Sequence, residues 1–247
     1  MESNLVDIIK AYPYLFANVL SILILLTAGR IFLSRQQWRV MVLSGLLNAP
    51  CFPFLIFLER EYWSPIRLGG WMLGIEDVFC SFWVAVLGWF VVALLLHNQI
   101  VLNKQLRISW YRYRVVGGIS AILFLLWYAL KFSGMGSLIL ACGIVAALLL
   151  IRNKQAWPLF ITGIFLYPVL YVVLLKFFFW IWPDFVKQWN PLSFWGTTTF
   201  LGVPRGEIVW AFVFGAYWPL LMTYVFDVRF SLFRLTENTT YRAEITE

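Results

Sequence analysis

Long apolar runs dominate this sequence, and they restrict its fold more than any other feature. Of the 247 residues, 62% are hydrophobic and only 13% are charged, which leaves too little polar surface to cover a soluble domain. A bilayer core contains no water to bind backbone N–H and C=O groups, so a chain that crosses it forms helices or a closed barrel. The runs are too long for barrel strands and do not alternate. The sequence therefore predicts an all-α membrane protein.

Seven apolar stretches are long enough to cross a bilayer, so we expect seven transmembrane helices. They lie at residues 14–33, 38–58, 71–96, 115–132, 136–151, 157–180 and 207–226. Only the short segment 131–137, with a lysine and two glycines, separates the fourth span from the fifth. A fused span of nearly forty residues would exceed the thickness of a bilayer. Residues 228–247 then form a tail outside the membrane.

The lysine and arginine positions predict the orientation, because cytoplasmic connections retain basic residues. Twelve of the nineteen basic residues fall on one side: Arg30, Arg35, Arg39, Lys104, Arg107, Arg112, Arg114, Arg152, Lys154, Arg229, Arg234 and Arg242. The N-terminus is then outside and the C-terminal tail cytoplasmic, in a multi-pass protein of the plasma membrane. The net charge of +7 serves this topology, and we expect membrane lipid, not nucleic acid, as the surrounding partner.

Several kinds of chemistry are excluded by what the chain lacks. The cysteines Cys51, Cys80 and Cys142 are far apart and have the spacing of structural thiols. His97 is the only histidine, which argues against a histidine metal site and against a Ser-His-Asp relay. No glycine-rich nucleotide-binding segment occurs. We expect no metal and no cofactor, so any chemistry falls to carboxylates, aromatic rings and hydroxyls.

An internal repeat is the most informative feature. The segment Leu73-Gly74-Ile75-Glu76-Asp77 begins the third span, and Leu201-Gly202-Val203-Pro204-Arg205-Gly206-Glu207 begins the seventh. Asp77 and Glu207 take equivalent positions, each at the start of a helix that runs inward. A three-helix unit that is repeated after one linking helix explains a total of seven. The halves are then residues 14–96 and 136–226, parallel to each other, with the linking helix at 115–132.

Helical spacing places each acid on a stripe of small residues. On the third span the stripe is Asp77, Ser81, Ala85 and Gly88, and on the seventh it is Glu207, Ala211 and Gly215. Such stripes mark close helix packing or room for a guest molecule. Bulky aromatic side chains flank them: Phe79, Phe82, Trp83, Trp210, Phe212 and Phe214. A shared, aromatic-walled cavity that contains both acids is one interpretation.

A simpler interpretation stands beside it. Carboxylates in the first turn of a helix are favoured by the helix dipole and by capping, and a proline suits the start of a helix. Aromatic side chains are common at both interfaces of any membrane protein. The default for an ionisable residue inside a membrane is nevertheless a functional one, and the recurrence of the acids at equivalent positions favours function.

At these two segments the chain resembles the lycopene cyclase domain family, small membrane proteins that occur as two three-span halves or as a fused chain. Each half of that family carries Gly-aliphatic-Pro-x-Glu-Glu followed by aromatic residues. Here the second copy keeps Pro204 and Glu207 but has Gly206 in place of the first acid, and the first copy keeps Glu76 and Asp77 but lacks the Pro-x. If the likeness is meaningful, we expect Gly206→Glu to leave activity intact or to raise it.

The resemblance implies protonation-driven cyclisation of a hydrophobic isoprenoid without net redox change. A neutral carboxylic acid protonates an alkene, aromatic faces stabilise the carbocation, and a carboxylate stabilises it or removes the last proton. The catalytic candidates are Glu76, Asp77 and Glu207, with the role of acid left open among them. The candidates for substrate binding are Phe79, Ser81, Phe82, Pro204, Trp210, Phe212 and Phe214.

Two alternatives remain open at this point. A cyclase that acts on a prenylated aromatic compound or its epoxide would need a similar set of residues. A non-enzymatic transporter or receptor would use the same acids to bind a cation or a proton. The seventh span has no lysine for a retinal Schiff base, and Lys176 of the sixth is the only deep candidate. The sequence also leaves open whether the chain forms a homo-oligomer.

Overall fold

A computed structural model describes residues 5–59, 61–102 and 106–230, which are helical over most of their length. The α-helices are α1 (Leu5–Ala11), α2 (Pro13–Phe32), α3 (Arg35–Asn48), α4 (Ile75–Leu96), α5 (Trp110–Ala129), α6 (Gly134–Arg152), α7 (Trp157–Ile181) and α8 (Arg205–Val225). Shorter 3₁₀ helices span Ala49–Phe57, Lys154–Ala156 and Pro183–Gln188, and the two-residue strands β1 (Ile100–Val101) and β2 (Arg229–Phe230) pair antiparallel. The tail beyond residue 230 lies outside the described residues.

Six helical stretches among the described residues are long and apolar enough to cross a membrane: Pro13–Phe32, Arg35–Phe57, Ile75–Leu96, Gly134–Arg152, Lys154–Ile181 and Arg205–Val225. The prediction of an all-α, multi-pass membrane protein is therefore supported. Each stretch overlaps one of the seven spans expected from the sequence. The remaining expected span, 115–132, corresponds to α5, a helix of 20 residues with Arg112 and Arg114 near its start.

The second expected span is not one continuous α-helix. It begins as α3, which has a capping box at Ser34 and Gln37, and it continues after Asn48 as a 3₁₀ helix. Pro50 and Pro53 lie in that 3₁₀ segment. Proline lacks a backbone N–H and clashes with the preceding turn of an α-helix, so two prolines this close end the α-helical geometry.

The weakly separated fourth and fifth spans are distinct helices. Helix α5 ends at Ala129, Lys131 takes a left-handed φ of 69°, and the Ser133 hydroxyl caps α6 by accepting a hydrogen bond from the Gly136 N–H at 3.1 Å. At Gly134 a Cβ atom would collide with the backbone of Phe57. Glycine is therefore needed here for close packing rather than for the turn itself.

The connections between helices gather at two opposite ends of the bundle. At the tryptophan end, formed by residues 58–74, 130–133 and 182–204, the Asn190 N–H donates to the carbonyl of Tyr62 at 2.9 Å, and the Gly134 N–H donates to Glu61 at 3.2 Å. At the arginine end, Arg112 forms an ion pair of 2.8 Å with Asp227, and β1 pairs with β2. Helix α5 runs between these two ends, as the six apolar stretches do.

Helices α4 and α8 lie at the centre of the bundle. Helix α4 packs on α2 and α3, α8 packs on α6 and α7, and α4 and α8 also contact each other. The core they share includes Trp89, which is fully buried, and Trp218, which is 2% exposed. The first turns of α4 and α8, which carry the predicted acids, both lie at the tryptophan end.

Candidate active site

A cavity of about 200 Å³ lies inside the bundle, and its wall is rich in aromatic side chains. Its roof at the tryptophan end consists of packed rings. Trp63 stacks on Trp189 at 5.9 Å, Tyr14 meets the Trp63 ring edge-on at 4.8 Å, and Phe185 meets Trp189 at 5.4 Å. All four side chains are buried. This roof separates the cavity from water beyond the tryptophan end.

Glu207 is the carboxylate that reaches this cavity. It lies in the first turn of α8, with its side chain turned into the bundle and only 7% exposed. Its Oε1 accepts hydrogen bonds from the hydroxyl of Tyr62 at 2.6 Å and from the indole N–H of Trp189 at 2.8 Å, and its Oε2 accepts one from the hydroxyl of Tyr171. None of these three donors is a cation or a backbone group, so Glu207 is not a helix cap.

Tyr62 belongs to the connection at the tryptophan end, where its side chain is 2% exposed. Burial, and after it the charge of Glu207, raises the pKa of the Tyr62 hydroxyl well above its ordinary value. The hydroxyl therefore keeps its proton at neutral pH and stays available as a hydrogen-bond donor to the carboxylate.

Rings stacked beside Tyr171 extend the wall away from Glu207. Tyr171 stacks on Trp83 at 5.6 Å and lies 5.4 Å from Trp210, which in turn stacks on Phe214 at 4.7 Å. All four residues line the cavity. An electron-rich wall of this kind attracts a cation over ring faces.

Asp77 has a different environment from Glu207. Its Oδ2 accepts hydrogen bonds from the Arg67 Nε at 2.8 Å and from the N–H of Gly74 at 2.7 Å, while its Oδ1 accepts from Arg67 at 3.2 Å and from Tyr14 at 3.0 Å. The side chain is fully buried but does not line the cavity. The bond from Gly74 caps α4, as the simpler interpretation of the sequence expected for acids at a helix start.

Arg67 compensates the charge of Asp77. It also forms an ion pair of 2.9 Å with Glu59. Burial lowers the pKa of the Arg67 guanidinium, but the hydrogen bonds and charges of Asp77 and Glu59 outweigh burial and raise this pKa above its ordinary value. The guanidinium is therefore a permanent cation that holds the connection 58–74 against the start of α4.

Glu76 is fully buried beside this ion pair and does not line the cavity. Its Oε1 accepts the N–H of Leu68 at 2.6 Å, and its Oε2 has no hydrogen-bond partner. Its backbone carbonyl accepts the side-chain N–H of Asn18 at 3.0 Å. The structure thus places the two acids of the first repeat together, and Glu207 apart from them across the rings of Tyr14, Trp63 and Trp189.

The predicted substrate-binding residues divide into two groups. Ser81, Trp210 and Phe214 line the cavity, whereas Phe79, Phe82, Pro204 and Phe212 do not. Phe82 instead packs on Gly45 of α3, and Pro204 is the buried residue that precedes α8. Phe212 is 37% exposed and lies on the outside of the bundle.

Both stripes of small residues face inward, as the helical spacing predicts. Ser81, Ala85 and Gly88 are buried on α4, where a Cβ atom at Gly88 would lie 3.1 Å from the Trp218 ring of α8. Ala211 and Gly215 are buried on α8, and Gly215 packs against the backbone of Gly163 in α7. Ser81 and Glu207 are the members of these stripes that line the cavity.

Sequence reasoning missed the residues that hold the carboxylates, namely Tyr14, Tyr62, Arg67, Tyr171 and Trp189. The aromatic ones look the same as any interfacial aromatic residue. Arg67 carried a usable signal, because it is one of few basic residues on the side of the membrane where they are scarce. A buried partner for an intramembrane acid explains such an exception.

The packing at Gly206 argues against the expectation that Gly206→Glu leaves activity intact. A Cβ atom at this position would lie 2.8 to 2.9 Å from the ring and hydroxyl of Tyr62. Tyr62 is buried and hydrogen-bonded to Glu207, so a shift of its ring would disturb that hydrogen bond. The absence of a side chain at Gly206 therefore allows Tyr62 to reach the carboxylate of Glu207.

Comparisons of the chain with protein-family models, with curated proteins and with solved structures find no match.

Proposed function

We propose that the chain is a membrane-embedded isoprenoid cyclase, similar to lycopene cyclases, with Glu207 as its reacting carboxyl group. One observation carries this proposal. A buried carboxyl group, held by three neutral donors, borders an aromatic-walled cavity inside an apolar helical bundle. A transporter site for a cation would favour oxygen ligands around the acid, whereas the three groups that contact Glu207 here are hydrogen-bond donors.

The reaction needs one proton, which Glu207 donates at the start and takes back at the end. With a proton on Oε2, Glu207 donates to the hydroxyl of Tyr171, which can both accept and donate. The O–H bond of Glu207 breaks and its proton passes to the less substituted carbon of the alkene at the end of the chain, so a C–H bond forms and the other alkene carbon becomes a tertiary carbocation. A second alkene attacks this cation and forms the ring C–C bond. Loss of a proton from an adjacent carbon restores a C=C bond and returns the proton to Glu207.

Three features of the cavity favour this chemistry. The faces of Tyr171, Trp210 and Phe214 stabilise a cation near the carboxylate. The roof at the tryptophan end excludes the water that would otherwise trap the cation as an alcohol. The donors from Tyr62 and Trp189 fix the carboxyl group in one position and stabilise the anion that remains after the proton leaves.

In this proposal Asp77 and Glu76 position the catalytic residues without reacting. Asp77 and Arg67 hold the connection that carries Tyr62, and Tyr62 holds Glu207. The resemblance to the lycopene cyclase domain family then applies chiefly to the second repeat, where Pro204 and Glu207 are kept. The cyclisation consumes no cofactor.

The proposed topology has seven spans with α5 as the linking helix between two parallel halves. The packing supports it, since the third helix of each half, α4 or α8, contacts both of its own partners. The arginine end carries Arg112, Arg152 and Arg229 and is proposed to be cytoplasmic, which leaves the cavity in the outer half of the membrane.

The test is expression in cells that accumulate lycopene, followed by pigment analysis of the extract. We expect carotenoids with one or two rings from the unchanged chain and from Phe165→Leu, a control on α7 where Phe165 is 63% exposed. We expect only lycopene from Glu207→Gln. Cyclised pigment at equal levels in the Glu207→Gln cells would refute the assignment of the acid, and lycopene alone in all cells would refute a carotenoid substrate.

A second candidate is cyclisation of a prenylated aromatic compound or its epoxide. It is favoured by one observation, a polar pair in the cavity wall where the hydroxyl of Tyr217 lies 3.1 Å from that of Ser120. Such a pair can bind an oxygen substituent that lycopene lacks. Incubation of membranes with a farnesylated phenol epoxide would yield a ring-closed isomer in this case.

A further inference from the structure

The 3₁₀ helix Ala49–Phe57 and α5 face each other across a seam, each packing mainly on other helices. The 3₁₀ helix packs on α3 and α4, and α5 packs on α6 and α8. Between the two lies a seam that is closed by aromatic side chains. Phe124 of α5 meets Phe54 edge-on at 5.3 Å and Phe57 at 5.2 Å, and Phe57 meets Tyr128 at 5.0 Å.

The cavity comes closest to the lipid at this seam. The cavity-lining residues of the 3₁₀ helix (Cys51, Phe54 and Leu55) and three of the four from α5 (Gly117, Ser120 and Ala121) are all partly exposed. The exception is Phe124, which is 2% exposed. Most lining residues elsewhere, including Tyr62, Tyr171 and Glu207, are buried.

Small residues leave a gap in the seam on the side of Phe124 that faces the arginine end. A Cβ atom at Gly117 would meet no atom within 4 Å, although Gly117 lines the cavity. One turn further toward the arginine end, the seam is closed by Tyr113, whose hydroxyl donates to the carbonyl of Leu47. The gap is therefore bounded toward the arginine end by Tyr113, which is held by a hydrogen bond, and toward the tryptophan end by Phe124, which is held only by ring contacts.

The size of the cavity requires an opening if the ligand is long. A cavity of 150 Å³ lined by apolar residues holds a benzene molecule, so a cavity of about 200 Å³ accommodates one ring-sized end of a chain. The remainder of an extended isoprenoid has to leave the cavity. The roof blocks the tryptophan end, and a chain of this chemistry is stable in lipid and not in water.

We propose that the seam between the 3₁₀ helix Ala49–Phe57 and α5 is the lateral substrate site, where an isoprenoid chain passes between Gly117 and Phe54 with its reacting end at Glu207 and its remainder in lipid. Phe124 is the side chain that moves aside for it. The class of ligand rests on the proposed cyclase function, whereas the route rests on the geometry of the seam.

The test compares substitutions at two adjacent glycines of α5. A Cβ atom at either Gly117 or Gly118 meets no atom of another element within 4 Å, so both positions have room for a side chain, and leucine raises the helix propensity equally at each. Gly117→Leu fills the gap, whereas Gly118→Leu points away from the cavity into lipid. The probe is a farnesyl chain that carries a benzophenone group, dissolved in liposomes containing the purified protein and crosslinked by light, with the labelled peptides identified by mass spectrometry.

We expect labelling of the α5 and 3₁₀ peptides in the unchanged chain and in Gly118→Leu, and at least roughly tenfold less in Gly117→Leu. Phe124→Ala, which removes the upper edge, is expected to raise labelling of residues deep in the cavity such as those around Trp210. Equal labelling of these peptides in both leucine variants would overturn the proposal, as would labelling confined to other helices. The readout needs no turnover, so seam-specific labelling in a chain that makes no cyclised product would refute the cyclase and leave the lateral site standing.

Discussion

Glu207 and Asp77, which the proposed repeat places at equivalent positions, differ in the charge of their hydrogen-bond donors. Asp77 is held by a guanidinium cation and a backbone N–H as well as by the hydroxyl of Tyr14. Glu207 is held by two tyrosine hydroxyls and an indole, and a hydroxyl can reverse its role when a proton moves. Of the two acids, Asp77 contacts a cation and Glu207 contacts only neutral donors, so the proposed mechanism assigns the proton transfer to Glu207.

Glu207→Gln should preserve the fold and remove the activity. The amide oxygen can take the place of Oε1 and accept from Tyr62 and Trp189, while the amide N–H₂ donates to the hydroxyl of Tyr171. Only the exchangeable proton is lost. We expect product formation to fall at least roughly a hundredfold, the scale for removal of a general acid or base, with membrane levels and melting temperature near those of the unchanged chain. Full activity in this variant would contradict the mechanism.

Asp77→Asn should have the opposite profile, with a loss of stability. Asparagine can still accept the N–H of Gly74, but the buried Arg67 loses half of its charge compensation. Removal of one partner of a buried ion pair costs about 3 to 5 kcal/mol. We expect a clearly lower melting temperature in detergent and less protein in the membrane. Arg67→Met together with Asp77→Asn and Glu59→Gln should recover part of that loss, because none of the three charges then remains unpaired. A normal melting temperature for Asp77→Asn alone would contradict a structural role.

Gly206 offers a test of the packing around Tyr62. A methyl group at 206 would overlap the ring of Tyr62, so Gly206→Ala should displace that ring from Glu207 and reduce product formation. Gly206→Glu should be worse, although it restores the paired acids of the family motif. The measurement is pigment analysis, and the control variant is Gly143→Ala, whose Cβ would have only an ordinary contact of 3.8 Å. Gly202→Ala is not a suitable control, because Gly202 has a left-handed φ of 69°. Normal turnover in Gly206→Glu would show that Tyr62 is not needed.

At the scale of helices, the apolar runs predicted the positions of the six apolar helical stretches to within a few residues, because bilayer thickness fixes their length. The 3₁₀ segment after Asn48 was in principle readable from Pro50 and Pro53. The partners of the carboxylates were not. The bond between Tyr62 and Glu207 joins residues 145 positions apart, and no local pattern specifies which aromatic side chain of a connection folds back onto which helix.

The crossing of α7 and α8 yields a prediction for the helices themselves. Gly163 and Gly215 bring the two backbones into direct contact, and a Cβ atom on either would collide with the other helix. We expect Gly163→Ala to destabilise the protein by about 1 to 3 kcal/mol, the range for overpacking, despite the better helix propensity of alanine. Gly143→Ala on α6 should be neutral or slightly stabilising. Equal melting temperatures for both variants would show that α7 and α8 can separate without cost.

For the whole molecule, hydropathy and the basic residues predicted that successive connections lie at alternate ends of the bundle. The described contacts between connections agree with that prediction. They also explain why the site lies at the tryptophan end. The arginine end is occupied by β1 and β2 and by Arg112, Arg152 and Tyr224, where both guanidinium groups lie over the same ring at 5.0 and 5.4 Å. Such a cluster suits a charged membrane surface, whereas the tryptophan end can close over an apolar guest.

Orientation and the number of spans are testable with single cysteines at exposed positions. Leu192 is 95% exposed at the tryptophan end, and Phe132 is 45% exposed there. At the arginine end Tyr111 is 74% exposed, and Gln155 is exposed in the connection before α7. The native cysteines lie in the bundle wall, so the unchanged chain is the blank for a charged maleimide that does not cross membranes.

We expect Leu192→Cys and Phe132→Cys to react in intact cells, and Tyr111→Cys and Gln155→Cys to react only after the membrane is opened. The reason is the excess of basic residues at the arginine end, which retains that end in the cytoplasm. The pair across α7 tests orientation, since α7 lies within one of the six apolar stretches. The pair across α5 tests the seventh span, because residues 111 and 132 lie at the two ends of that helix. Reaction of all four cysteines from the inside only would contradict both the proposed orientation and the proposed number of spans. If only the cysteines at 111 and 132 react from the same side, α5 does not cross the membrane. Six spans then remain, with both termini on one side.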